Sequence, residues 1–150
     1  MFIKPTFFFI GMKKLFRYLR KQTLIMKKIN CFIPFEDESS VKQTIASIRE
    51  SSLVNTIYLL YTKEKPRIEG CENIQIGSLQ STETLRLIAE NANCDYSLIY
   101  TKYTPLQMGQ FAMERLLHAA DDSNAGMVYA DYYQMIDGER KALPTIDYQL

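Results

Sequence analysis

The chain has 150 residues, enough for one domain with a sizeable hydrophobic core, and its 47% hydrophobic and 23% charged residues are typical of a globular protein. Its three cysteines form no Cys-x-x-Cys pair and its single histidine is His118, a composition that argues against a structural zinc site. The net charge of +1 hides an asymmetry: eight basic residues and no acid precede Ile29, whereas ten basic and seventeen acidic residues follow it. The acidic body argues against nucleic-acid binding. Cys31 and Cys94 lie in or beside apolar runs, so we expect reduced core thiols in a cytoplasmic protein.

The first 28 residues are a basic and apolar leader, distinct from the domain expected at 29–150. The charges mostly follow the apolar run Phe7–Ile10, the reverse of a signal peptide, and no run reaches the ~20 apolar residues that span a bilayer. We favour a disordered or misannotated leader, with Met26 as a natural start. The alternative is weak peripheral contact of the basic residues with the inner face of a membrane.

A strand and a helix open the domain. The apolar run Ile29–Pro34, closed by its proline, predicts a buried strand. Ser40 and Gln43 have the spacing of a capping box, and apolar residues recur at positions 41, 45 and 48. We therefore predict a helix from Ser40 to about Ser51.

The next segment predicts two strands and a second helix. Asn55–Tyr61 and the shorter Ile74–Ile76 have strand patterns, and the charged segment 62–71 between them, with its proline and glycine, indicates an exposed loop. Ser81 can cap a helix that has Glu83 in its first turn and an apolar face at positions 85, 88, 89 and 92.

The last segment predicts a strand, a helix, a strand and a hairpin. Tyr96–Tyr100 is an apolar strand, and Thr104–Gln107 combines a capping box with proline at the first helical position, which predicts a helix to about Ala120. Met127–Ala130 follows as a fifth strand, and the Asp137-Gly138 pair is typical of a hairpin turn.

Strands that alternate with helices predict an α/β fold, with a mainly parallel sheet and helices on both faces. In such sheets, ligands bind beyond the carboxyl ends of the strands. The residues expected there are carboxylates, hydroxyls and lysines, which suit a polar ligand that carries phosphates. The six glycines form neither a G-x-G-x-x-G nor a P-loop motif, which argues against a dinucleotide-binding domain and a P-loop enzyme.

Three segments resemble family 2 glycosyltransferases, the inverting enzymes that use nucleotide-diphosphate sugars. Ile33–Asp37 is similar to the strand end and loop that border the nucleotide base in the family. Asp95–Leu106 resembles the strand, Asp-x-Asp motif and helix start that follow, and Gly126–Tyr133 the next strand. The resemblance implies a Rossmann-like nucleotide-diphospho-sugar transferase fold over about 27–149. The expected ligand-binding residues are Pro34, Phe35, Glu36, Asp37, Thr62, Thr101, Lys102, Tyr103 and Asp131.

The chain departs from the family at its charged positions. The family's Asp-x-Asp holds a divalent metal against the diphosphate, but here Thr101-Lys102-Tyr103 stands at that place. Lys102 can supply a positive charge without an ion, and Asp131 is the only candidate ligand for Mg²⁺ or Mn²⁺. No catalytic residue is predicted.

The expected function is therefore binding of a nucleotide-diphosphate sugar for transfer to a glycan or other acceptor, without an acceptor-binding half. The run Thr145–Tyr148 is followed by no closing helix, so we expect a truncated frame or fragment. The alternative is a non-catalytic α/β interaction domain with a degenerate site. A sugar nucleotidyltransferase is disfavoured, because the loop after the first predicted strand is acidic and lacks glycine.

Overall fold

The computed structural model of the chain describes residues 7–11 and 27–143, which form one six-stranded sheet, three helices and one hairpin. The elements are β1 (Phe7–Gly11), β2 (Ile29–Pro34), α1 (Glu38–Arg49), β3 (Val54–Tyr61), β4 (Glu72–Gln75), α2 (Thr82–Asn91), β5 (Tyr96–Tyr100), α3 (Ala112–Ser123), β6 (Met127–Val128), β7 (Tyr132–Ile136) and β8 (Glu139–Leu143).

The sheet has the strand order β4-β3-β2-β5-β1-β6. The four strands β4, β3, β2 and β5 are all parallel, which confirms the prediction of a mainly parallel α/β sheet and is consistent with a Rossmann-like fold. From β2 the chain moves outward through β3 to β4, and then returns to the other side of β2 as β5. The order of the strands therefore reverses between β2 and β5, and such a reversal opens a crevice at the carboxyl ends of the two strands.

Helices cover both faces of the sheet, as predicted. Alternate residues of the strands point to opposite faces. One core cluster joins Ile33 and Leu98 to α1 and α3, and a second joins Phe32 and Ile99 to Ile88 of α2. Phe32 also stacks on Tyr58 of the neighbouring strand, with ring centroids 4.9 Å apart. Because each face has its own apolar cluster, the two helical layers fix the sheet between them.

The strand β1 was not predicted. Phe7–Gly11 pairs antiparallel with β5 on one side and with the two residues of β6 on the other. The fifth predicted strand is thereby shortened to Met127–Val128, and it contacts β5 only through β1. The other residues of the predicted leader up to Met26, and the run Thr145–Tyr148, lie outside the described residues. Within 7–11 and 27–143, no helix is long and apolar enough to cross a membrane.

The starts of the first two helices test the capping predictions. The predicted cap of α1, Ser40, was wrong: the helix begins at Glu38, and Asp37 caps it by accepting a hydrogen bond from the backbone N–H of Ser40 at 2.8 Å. Aspartate is as good a cap as serine, and it lies three residues earlier. The predicted cap of α2 is confirmed, since Ser81 Oγ accepts from the N–H of Thr84.

The predicted start of α3, with Thr104 as its cap and Pro105 as its first residue, was wrong by seven residues. The helix begins at Ala112, and segment 104–109 runs along α1 in a non-helical conformation. The N–H groups of Leu106 and Met108 donate to the hydroxyls of Thr44 and Ser47, at 2.9 and 2.7 Å. The side chains of Leu106 and Met108 also pack against the core. These long-range bonds give acceptors to N–H groups that would have none in the first turn of a helix. We call segment 104–109 the strap.

The hairpin predicted at Asp137-Gly138 is confirmed. β7 and β8 pair antiparallel about this turn, and both turn residues have positive φ, 53° and 79°. A type I′ turn requires that conformation at its two central residues, which is why Asp-Gly favours it. The hairpin is a separate two-stranded sheet, and its first residue, Tyr132, contacts the end of β5 through Lys102.

Candidate functional site

An open cleft lies beyond the carboxyl ends of β3, β4 and β5. Its volume is about 640 Å³, within the range of sites for small molecules. Five hydroxyl-bearing side chains and one cation dominate the wall. The lining residues are Thr62, Gly77, Ser78, Leu79, Gln80, Thr101, Lys102, Tyr103 and Thr104. This is the position at which parallel sheets bind ligands, and it lies on the α2 side of the sheet.

The wall between β4 and α2 is built by local hydrogen bonds. The N–H of Ile76 donates to the carbonyl of Tyr61 at 2.8 Å, which continues the β3–β4 pairing toward the cleft, where Thr62 and Gly77 both line the wall. The carbonyl of Ser78 then accepts from the hydroxyls of Ser81 and Thr84, at 3.0 and 2.7 Å. The turn that leads into α2 is therefore fixed, and the first turn of the helix has N–H groups without intrahelical acceptors.

Among the described residues, Lys102 is the only positively charged residue of the cleft wall. It lies two residues after the end of β5, and its ammonium donates a hydrogen bond to the hydroxyl of Tyr132 at 2.9 Å. The same nitrogen lies 4.4 Å from the centroid of the Tyr132 ring, within the range of a cation–π contact. The side chain is partly buried, so its charge acts in a medium less polar than bulk water.

A second, narrower depression lies at the reversal point between β2 and β5, next to α1. We call it the crease; its wall includes Pro34, Glu36, Asp37 and Tyr100. Tyr100 closes it from below: its hydroxyl donates to the carbonyl of Thr104 at 2.7 Å, and burial raises the pKa of that hydroxyl. The crease and the cleft adjoin at two shared residues, Tyr103 and Thr104.

Asp37 acts in the crease as the cap of α1. The hydrogen bond from the backbone N–H of Ser40 holds the pKa of its carboxyl below the ordinary value. The carboxylate is fully exposed, so it can face solvent and helix at once. Phe35 is partly buried and packs instead against the core.

The predicted site residues are thus divided among different places. Four line the cleft: Thr62, Thr101, Lys102 and Tyr103. Pro34, Glu36 and Asp37 line the crease, and Phe35 contacts the core. Asp131 is exposed between β6 and β7 and lines neither depression.

The predicted list of site residues omitted five residues of the cleft: Gly77, Ser78, Leu79, Gln80 and Thr104. Residues 77–80 form the turn that precedes the predicted cap of α2, and a turn between a strand end and a helix start is a standard ligand-binding place. Thr104 was assigned to a helix start, and only the non-helical strap brings it to the cleft. The four turn residues could have been found from the sequence, whereas Thr104 could not.

The metal site that the family resemblance implies does not fit these residues. In the described part of the chain, no three His, Cys, Asp or Glu residues come together as a metal would require. The cleft wall offers hydroxyl and amide oxygens together with the Lys102 ammonium, whose charge opposes a second cation beside it. The described residues therefore do not provide the metal site that the resemblance implies.

Comparison of the chain with protein-family models, with curated proteins and with solved structures gives no match.

Proposed function

We propose that the cleft binds the donor of a glycosyl transfer, a nucleotide-diphosphate sugar, and that Lys102 faces its diphosphate. The observation that carries this proposal is the position of Lys102, a partly buried cation just beyond the end of β5, in a wall to which the described part of the chain contributes no carboxylate. An ammonium is a compact point charge that suits a diphosphate. The family resemblance places the diphosphate at the same strand end.

The remaining wall of the cleft suits the uncharged parts of such a ligand. Sugars present many hydroxyls, and the side chains of Thr62, Ser78, Gln80 and Thr101 can each donate and accept hydrogen bonds. Tyr103 is 41% exposed at the boundary with the crease and offers a ring face to a sugar or a base. A volume of about 640 Å³ gives room for a ligand of several rings.

The proposal is limited to donor binding. Inverting transfer needs a general base that takes the proton of the acceptor hydroxyl. Among the described residues, the cleft wall holds neither a carboxylate nor a histidine, and His118 is exposed on α3. The donor cleft therefore supports recognition, and this part of the wall has no group for the proton transfer.

Calorimetric titration tests the proposal with a panel of uridine, guanosine, adenosine and thymidine diphosphate sugars. We expect one member to bind, and Lys102→Ala to weaken it by about 10- to 100-fold, the range for loss of one hydrogen bond to a charged group. Lys65→Ala is the matched control: it removes the same charge from an exposed residue that does not line the cleft.

Two results would contradict the proposal. Equal weakening by Lys102→Ala and Lys65→Ala would show that only the overall charge matters. Failure of every nucleotide sugar to bind would favour the alternative, an α/β interaction domain whose cleft has no ligand of this class.

A further inference from the structure

Tyr132 is the residue through which the hairpin contacts the cleft. It is the first residue of β7, thirty positions after Lys102, and it belongs to a different sheet. It contacts the ammonium in two ways, by its hydroxyl at 2.9 Å and by its ring at 4.4 Å from the centroid. Both contacts are made to the same nitrogen, so together they restrict where the ammonium can lie.

The geometry leaves part of the ammonium available. Lysine has three N–H donors, and Tyr132 accepts from one of them. Among the described residues, the structure shows no second hydrogen bond from this nitrogen. A free lysine side chain has four rotatable bonds, and ordering it on binding costs conformational entropy. A contact that orders it beforehand removes that cost.

We propose that Tyr132 is a positioning residue for Lys102, and that it orders the ammonium for the diphosphate of the ligand. This inference rests on the proposed function and deepens it: the hairpin, rather than a metal ion, fixes the positive charge at this strand end. Tyr132 does not line the cleft, so it acts through Lys102 and not by touching the ligand.

The test is a double-mutant cycle measured with two probes, inorganic pyrophosphate and uridine diphosphate. Tyr132→Leu removes the ring and the hydroxyl, and we expect it to weaken binding by about five- to tenfold, as for loss of a partly desolvated cation–π contact. Tyr132→Phe keeps the ring and should recover part of the loss. In the Lys102→Ala background, Tyr132→Leu should have no further effect, because the two residues act as one unit.

The control variant is Tyr133→Leu, because Tyr133 lies on the opposite face of the same strand and is 60% exposed. Urea denaturation of each variant separates loss of folding from loss of binding. A second readout needs no ligand: nitrogen-resolved NMR of the Lys102 amino group should show a restricted side chain in the wild type and a mobile one in Tyr132→Leu.

The possible outcomes separate the two proposals. If Lys102→Ala weakens binding and Tyr132→Leu does not, the positioning role is wrong and the proposed function stands. Tighter binding by Tyr132→Leu would show that Tyr132 holds the ammonium away from the ligand, which also overturns it. If neither probe nor any nucleotide sugar binds the wild type, the proposed function fails, and the positioning role fails with it.

Discussion

Thr44 gives the most direct test of why the strap is not helical. Its side chain is 2% exposed, its hydroxyl donates to the carbonyl of Ser40 at 3.3 Å, and it accepts from the N–H of Leu106 at 2.9 Å. Thr44→Val keeps the branched shape of the side chain and removes only the hydroxyl. After the substitution, the N–H of Leu106 faces a methyl group.

The magnitude follows from the burial of that N–H group. A donor left without a partner away from water costs about 1–3 kcal/mol, whereas the lost bond to Ser40 is minor because that carbonyl keeps its helical partner. The two residue types have similar helix propensities, and the new methyl group adds some apolar burial that offsets part of the cost. We expect the free energy of unfolding to fall by about 1–2 kcal/mol, which lowers the melting temperature by roughly 2–8 °C in a domain of this size.

Urea denaturation and amide hydrogen exchange measure the effect. The denaturation midpoint should fall at unchanged slope, and the Leu106 amide should exchange faster while the amide of Leu59 in β3 stays protected. Ser47→Ala is the graded control: Ser47 is only partly buried, so water can replace it at the Met108 N–H, and the loss should be smaller. Equal exchange of the Leu106 amide in wild type and Thr44→Val would refute this account of the strap.

Three further predictions concern other parts of the chain. Asp37→Asn keeps an acceptor at the cap of α1 but removes the titratable carboxyl. Because the pKa of Asp37 is lowered, the stability that its charge contributes is present above its unfolded pKa and is lost as the pH falls through its folded pKa. The difference in the free energy of unfolding between wild type and variant should therefore be smaller in acid than at neutral pH. If that difference is the same on both sides of the ordinary carboxyl pKa of 3.8, the cap is not ionic. Asn30→Ala should lower the free energy of unfolding, measured by urea denaturation, by about 2–4 kcal/mol, because Asn30 is fully buried and forms hydrogen bonds with the side chains of Asn55 and Asn93 at 3.0 and 2.7 Å. A smaller loss than that of Asn93→Ala, at an exposed residue, would contradict this. The basic residues of the leader, finally, should make the full chain sediment with phosphatidylserine vesicles at low salt, at about 1 kcal/mol for each basic residue near the surface. A variant in which Lys13, Lys14, Arg17, Arg20 and Lys21 are replaced by glutamine keeps β1 and should stay in solution, and equal sedimentation of both would show that these charges have no such role.

The parts of the fold that local signals determine could be predicted from the sequence. The strands β2, β3 and β5 are continuous apolar runs, and α2 has both its cap at Ser81 and its apolar spacing within one short segment. The order of these elements is enough to predict an α/β sheet, because connections between parallel strands need helices. The carboxyl ends of the strands then gave four residues of the cleft, including Lys102.

The parts that depend on distant partners could not be predicted. The strap has a stronger helix-start pattern than α1, but the hydroxyls that bind its N–H groups lie about sixty residues earlier, on α1. The strand β1 is a five-residue apolar run whose partners are β5 and β6, more than eighty residues away. The contact of Lys102 with Tyr132 crosses two sheets, and no pattern in either segment indicates it.

The proposed ligand binding does not need the acidic motif that the family resemblance implies. Where that resemblance implies two aspartates and a metal, the chain has a lysine that contacts the hydroxyl and the ring of Tyr132. A lysine supplies one positive charge directly, without a carboxylate to hold an ion. If Lys102 takes the place of the aspartates and the metal, ligand binding should depend less on divalent cations than the family resemblance implies.

The central claim is that Lys102, and not a protein-held metal, faces the diphosphate. The most direct measurement is calorimetric titration of the best nucleotide sugar in EDTA and in excess Mg²⁺, with wild type and Lys102→Ala side by side. The account predicts wild-type affinities within about threefold of each other in the two buffers, and a loss of at least about tenfold for Lys102→Ala in both. Binding that EDTA abolishes and that Lys102→Ala leaves unchanged would contradict it.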